Sequence, residues 1–177
     1  MIPITSLLDW IECHPGTAAW VQALGAIVAL IVAVMVPVRM ARQADRLNQR
    51  RFLDSVFSIS SEVGECFRNA AARCSAGQNE GLNFVRSVQA FHRFRIVSSA
   101  IGAIPLHELP SYEVTQSVLE LQAMMEEGLM QLKTAFQEID RHQALIQAEL
   151  YGGAFNNLAV RARPHLKRID AARTKFL

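Results

Sequence analysis

Five histidines, three cysteines and 16 acidic residues are the side chains with which this chain of 177 residues could do metal or acid–base chemistry. His107-Glu108 opens like the His-Glu-x-x-His helix of zinc proteases, where two imidazoles one turn apart hold the metal and the glutamate acts as general base. The position that should carry the second histidine is Ser111, and Pro105 and Pro110 flank the pair. It therefore belongs in a loop and lacks its second ligand. His142 lies near Glu138 and Asp140, a solvated helix neighbourhood and not a ligand set; His14 is expected on the far side of the membrane from the others, and His92 and His165 have no Cys, His or acidic partner at ligand spacing that stands out. Gly152-Gly153 lacks the Lys-Ser/Thr of a phosphate loop and is expected to break a helix. Arg93-Phe94-Arg95 reads as a basic helix surface. No nucleophile–base pair, metal constellation or nucleotide loop emerges. No catalytic, cofactor-binding or metal-binding residue is expected, and the chain is expected not to be an enzyme.

What must be positioned is better read from the elements. The composition is 51% hydrophobic, 7% aromatic and 19% charged, whereas a soluble domain carries about a quarter charged residues. The imbalance is local. From Gly16 to Val38 there is no charged residue, and after Thr17 Gln22 is the one strongly polar side chain. Ala18 to Val38 forms about 31 Å of helix, the thickness of a bilayer's hydrocarbon core. A transmembrane helix is expected over residues 16–38, after a short extracytoplasmic segment, 1–15. A cleaved signal peptide needs a basic start and a shorter apolar core; the first sixteen residues contain Asp9 and Glu12 and no Lys or Arg. The segment is expected to stay as an anchor.

Arg39, Arg42, Arg46, Arg50 and Arg51 follow the span against a single Asp45. Basic residues close to a span stay on the cytoplasmic side, so the N-terminus is expected outside and the remainder inside. The same five arginines are candidate contacts for anionic lipid. Trp10 and Trp20 fall near the outer boundary, where indoles prefer to lie, and Thr5 to His14 reads as a short surface helix ended by Pro15-Gly16. Within the span, Gly25, Ala29 and Ala33 repeat every fourth residue, with Gln22 and Ala26 alongside. Small residues let membrane helices approach closely and Gln hydrogen-bonds across the contact, so Gln22, Gly25, Ala29 and Ala33 form a candidate association face. Pro37 falls at the inner end, where a kink is tolerated.

Residues 39–177 show helical period and no strand alternation. Helices are expected at about 39–75, 80–101, 111–151 and 154–176. In the first, Phe52, Val56, Ile59, Val63, Cys66 and Ala70 alternate steps of four and three; Ser75-Ala76-Gly77-Gln78-Asn79 ends it. The second places Phe84, Val88 and Phe91 on one side, with Val85, His92 and Ile96 nearby. Ser111 is the expected N-cap of the third, with Glu113 in its first turn. There Val118, Met125, Leu132, Ile139 and Ile146 recur every seven residues, while the companion row Val114, Leu121, Gly128, Ala135 and His142 fades. The fourth aligns Leu158, Ala162, His165, Ile169 and Phe176, with Pro164 expected to divide it.

The fold expected is all-α: one N-terminal transmembrane helix and a cytoplasmic antiparallel bundle of about four helices with coiled-coil-like packing. Cys66 and Cys74 lie eight residues apart on one helix, about 12 Å, beyond the roughly 7 Å a disulfide spans. Cys13 falls across the membrane, so buried or idle thiols are expected. Glu108 to Glu149 holds eight acids against Lys133 and Arg141, while the last helix holds Arg161, Arg163, Lys167, Arg168, Arg173 and Lys175 against Asp170. These charges are expected to attract across the bundle, with the basic terminus lying on anionic lipid as the alternative. Nucleic acid is disfavoured, because no basic-aromatic platform accompanies the charge.

Two stretches, Trp20-Val21-Gln22-Ala23-Leu24-Gly25-Ala26-Ile27-Val28-Ala29 with its arginine-rich exit and Ile104-Pro105-Leu106-His107-Glu108-Leu109-Pro110-Ser111 before a long helix, resemble small bacterial single-pass inner-membrane proteins of unassigned function. The resemblance implies a bacterial inner membrane and brings no activity, cofactor or substrate. The expected function is a membrane-anchored helical interaction or scaffold module that binds itself or a protein partner. Alternatives are a membrane-perturbing effector (a toxin or defence component) acting through oligomerised spans, and an accessory subunit of a larger membrane complex.

Overall fold

The computed structural model describes residues 15–76, 78–85, 87–138 and 144–175. Expectations for Thr5–His14, Trp10, Cys13, Ile139, Asp140, Arg141, His142 and Phe176 lie outside the described residues, as do those for the side chains of Glu138, Ile146 and Glu149. Among the described residues every regular element is helical. They are α1 (Pro15–Ser75), α2 (Gln78–Val85), α3 (Val88–Gly102), a 3-10 turn (Leu106–Glu108), α4 (Tyr112–Glu138) and α5 (Ala144–Thr174). The chain divides into two compact units, Met1–Asn48 and Gln49–Leu177.

The described part of the first unit is the N-terminal portion of α1. It is long and apolar enough to cross a membrane, one such helix among the described residues. Every residue from 19 to 48 is exposed, so nothing among the described residues of the unit buries the apolar run. A helix satisfies its own backbone hydrogen bonds, which lets such a run stand without protein neighbours. Pro37 lies inside α1; lacking an N–H, it leaves the Ala33 carbonyl without its usual donor.

In the second unit α1 continues with Leu53, Val56, Val63, Cys66, Phe67, Ala70 and Cys74 buried; of the expected stripe, Phe52 and Ile59 are only half-buried, because the inward face is centred nearer Leu53 and Phe67. α2 and α3 replace the single helix expected over 80–101. Ser87 caps α3, accepting a hydrogen bond from the Ala90 N–H at 3.4 Å, and this restart resets the helical face. Phe84 and Phe91 are half-buried, but Val88 is exposed at 72%. The core side of α3 is Ala90, Phe94, Val97 and Ile101. Phe94, expected within a basic surface patch, is 2% exposed. Its ring centroid lies 6.0 Å from that of Phe67 and 5.7 Å from that of Phe155, at tilted and edge-on angles that suit the ring quadrupoles.

Ser111 accepts from the Val114 N–H at 3.4 Å and starts α4. Val114, Val118, Leu121, Met125, Leu132 and Ala135 are all buried along it. Gly128 does not weaken this seam. A Cβ there would meet Phe67 at 3.0 Å and Phe94 at 3.2 Å, so the glycine makes room for both rings.

The expected break at Gly152-Gly153 is overturned: α5 runs through both glycines, and through Pro164. Gly152 lies against α1, where a Cβ would stand 3.3 Å from the Cys74 Cβ. Close helix approach, not termination, is its use. Leu166 reaches Gly64, and Arg173 stacks 4.2 Å over the Phe57 ring. Residue numbers thus climb along α5 as they fall along α1.

Candidate membrane and interaction surfaces

The residues proposed for helix association all stand open. Gln22, Gly25, Ala29 and Ala33 are exposed, and the space beside Gly25 is empty to 4 Å. At the end of the apolar run Arg39, Arg42 and Arg46 are exposed as well, and their guanidinium groups have no partner among the described residues. With Gln43 they line a shallow cleft of about 300 Å³. Arg50 and Arg51, in the second unit, are half-buried and exposed respectively.

Arginines deeper in the second unit are treated differently. Arg93 meets Glu62 at 3.2 Å, Arg161 meets Glu127 at 3.0 Å, Arg68 meets Glu65 at 2.7 Å, and Arg173 meets Asp170 at 2.7 Å with Asp54 at 4.0 Å. The Arg161–Glu127 pair joins α5 to α4 and is the one such link between the acidic and basic helices among the described residues. Both partners are about half-exposed, so the pair contributes little to stability.

Two surface hollows lie where α1 and α3 meet. One, of about 540 Å³, runs between Arg73, Phe84, Ser87 and Arg93 over a floor that includes Cys66 and Phe94. The other, of about 450 Å³, is an apolar groove walled by Ile59, Ile96, Val97 and Ala100, with Glu62 and Arg93 on its rim. Ile96 is 56% exposed there. A single helix over 80–101 does not show this groove, because its period puts Val88 on the apolar side with Phe84 and Phe91 and leaves Ile96 only nearby.

The remaining candidates for chemistry are scattered. His107 and Glu108 sit on the 3-10 turn, both exposed and 3.8 Å apart. Among the described residues no group of three metal-ligating side chains comes together. Cys66 and Cys74 are free and buried. Burial pushes the Cys74 thiol up to about 11, and pushes Cys66 up less freely because the Arg93 guanidinium beside it favours the thiolate. Both are thiols at neutral pH, the form that is a poor nucleophile. Burial, with Arg168 nearby, lowers His165, whose Nδ1 is buried without a hydrogen-bond partner.

Set against protein-family models, curated proteins and solved structures, the chain has no match in any of the three.

Proposed function

We propose that the chain is a membrane-anchored, non-catalytic helical interaction module. The observation that carries this reading is the wholly exposed, apolar start of α1. Soluble monomers rarely leave so large an apolar surface open, and lipid is the solvent that suits it. The arginine run after Val38 supports a cytoplasmic second unit with the N-terminus outside, by the preference of basic flanks for the cytoplasmic face. A bacterial inner membrane is the setting that the resemblance of the anchor and the Ile104–Ser111 segment implies.

The second unit is read as an antiparallel bundle of α1, α3, α4 and α5, supported by opposed numbering of α1 and α5 at Gly152–Cys74 and Gly64–Leu166 and by the Arg161–Glu127 contact of α5 with α4. Its groove between α1 and α3 is the surface on which a second copy or a cytoplasmic helical partner would lay an apolar face. The Arg93–Glu62 ion pair sits on the rim and leaves the floor apolar, an arrangement that favours docking over chemistry.

The test is purification of the full chain in mild detergent, with the mass of the complex measured. The reading expects a mass above that of one chain plus its detergent, from a second copy or a stoichiometric partner. Ile96→Glu should reduce it. A monomer with nothing bound, unchanged by Ile96→Glu, would contradict the interaction role.

A further inference from the structure

Arg39, Arg42, Gln43 and Arg46 follow one another at intervals of three, one and three residues. At about 100° per residue these intervals place all four on one face of the helix, and together they line one open cleft. Among the described residues the charge there is uncompensated. Arg68, Arg93, Arg161 and Arg173 each have a carboxylate within 3.2 Å, whereas the three guanidiniums of this face have none among the described residues. Asp45 is the single acid between Glu12 and Asp54, and it makes no ion pair with any described residue.

The position along the helix says what the face meets. With Val38 the last residue of the apolar run, Arg39 lies at the edge of the hydrocarbon. At helical rise Arg42 stands about 5 Å further out and Arg46 about 11 Å. The headgroup layer adds roughly 5–8 Å on each side of the hydrocarbon. Arg39 and Arg42 therefore lie within it, and Arg46 reaches back to it.

We propose that Arg39, Arg42, Gln43 and Arg46 form a binding site for the headgroup of an anionic phospholipid. A guanidinium presents forked N–H donors that match two phosphate oxygens, and the Gln43 amide supplies a further neutral donor on the same face. A zwitterionic headgroup offers the same phosphate but brings an ammonium, which three neighbouring guanidiniums repel. The site thus selects phosphatidylglycerol-like lipids over phosphatidylcholine, and does so on one side of the helix. This inference rests on the membrane-anchor reading.

The experiment uses the full chain in a neutral detergent, offered equal amounts of phosphatidylglycerol and phosphatidylcholine, with bound lipid counted by native mass spectrometry. The expected result is preferential retention of phosphatidylglycerol. Arg39→Gln with Arg42→Gln should bring retention of the two lipids close to equal, because two of the three guanidiniums that distinguish the headgroups are gone. Lys167→Gln with Arg168→Gln on α5 should leave it unchanged. Unchanged preference in the Arg39/Arg42 variant, or an equal loss in the α5 control, overturns the site. Alkaline extraction of membranes holding the same chains separates the two readings. A chain that stays in the membrane yet shows no lipid preference overturns the site alone, and one that washes off overturns the anchor and the site together.

Discussion

Phe94 shows how much one side chain can decide. It is the middle of three rings, packed tilted against Phe67 and edge-on against Phe155, and Gly128 is the gap that Phe67 and Phe94 fill. Phe94→Ala should therefore cost about 3–5 kcal/mol, since a buried aromatic leaves both its transfer energy and a cavity behind. Gly128→Val should cost about 1–3 kcal/mol by overpacking against two rings that cannot both yield. Denaturant unfolding of the full chain in neutral detergent, followed by helical circular dichroism, reads both. Phe94 was hard to see in the sequence because two arginines bracket it, and a charged neighbourhood argues locally for surface; only the phase of α3 turns it inward.

Cys74 offers a second residue-scale check, through pH. Its native value is raised to about 11 by burial from an ordinary value of 9.0. The unfolded chain then loses this proton first as pH rises, so native stability falls between about pH 9 and 11. Melting curves across that range should steepen in their decline relative to Cys74→Ala, which removes the titrating group. Parallel declines would show that the thiol is not so buried.

At the scale of elements, the instructive glycines are neighbours in sequence with different consequences. Gly152 is pressed against Cys74 of α1, while Gly153 has nothing within 4 Å of where a Cβ would stand. Gly153→Ala should stabilise by roughly 0.5–1 kcal/mol, because alanine loses less backbone freedom in a helix interior. A helix that ended at these residues would gain nothing from it. Paired glycines read as a stop because local propensity is all that a single sequence displays; the approach of α1 that uses Gly152 is a long-range fact. The boundary at Ser87 is hidden from the sequence for a related reason. Phe84, Val88 and Phe91 make an acceptable continuous face on paper, and the restart becomes visible only through the hydrogen bond that Ser87 accepts from the Ala90 N–H. Heptad spacing in α1 and α4 was legible without such help, since Val56, Val63, Val118 and Met125 meet the core at the positions their period dictates. The ion pairs between elements are exposed, so Glu127→Gln should cost under about 1 kcal/mol, measured in the same unfolding assay.

For the whole molecule, the apolar run is the most legible feature, because a helix long and apolar enough to cross a membrane declares itself by length and composition and needs no tertiary partner. The groove between α1 and α3 was the least legible, being a product of two helices whose relative phase the sequence does not display. Everything proposed for the chain, from the cytoplasmic bundle to the lipid-selective arginine face, depends on α1 being embedded from about Ala18 to Val38. Alkaline carbonate extraction of membranes from cells expressing the full chain tests this most directly. The account predicts that the chain remains in the membrane pellet; its release into the supernatant as folded protein would contradict it.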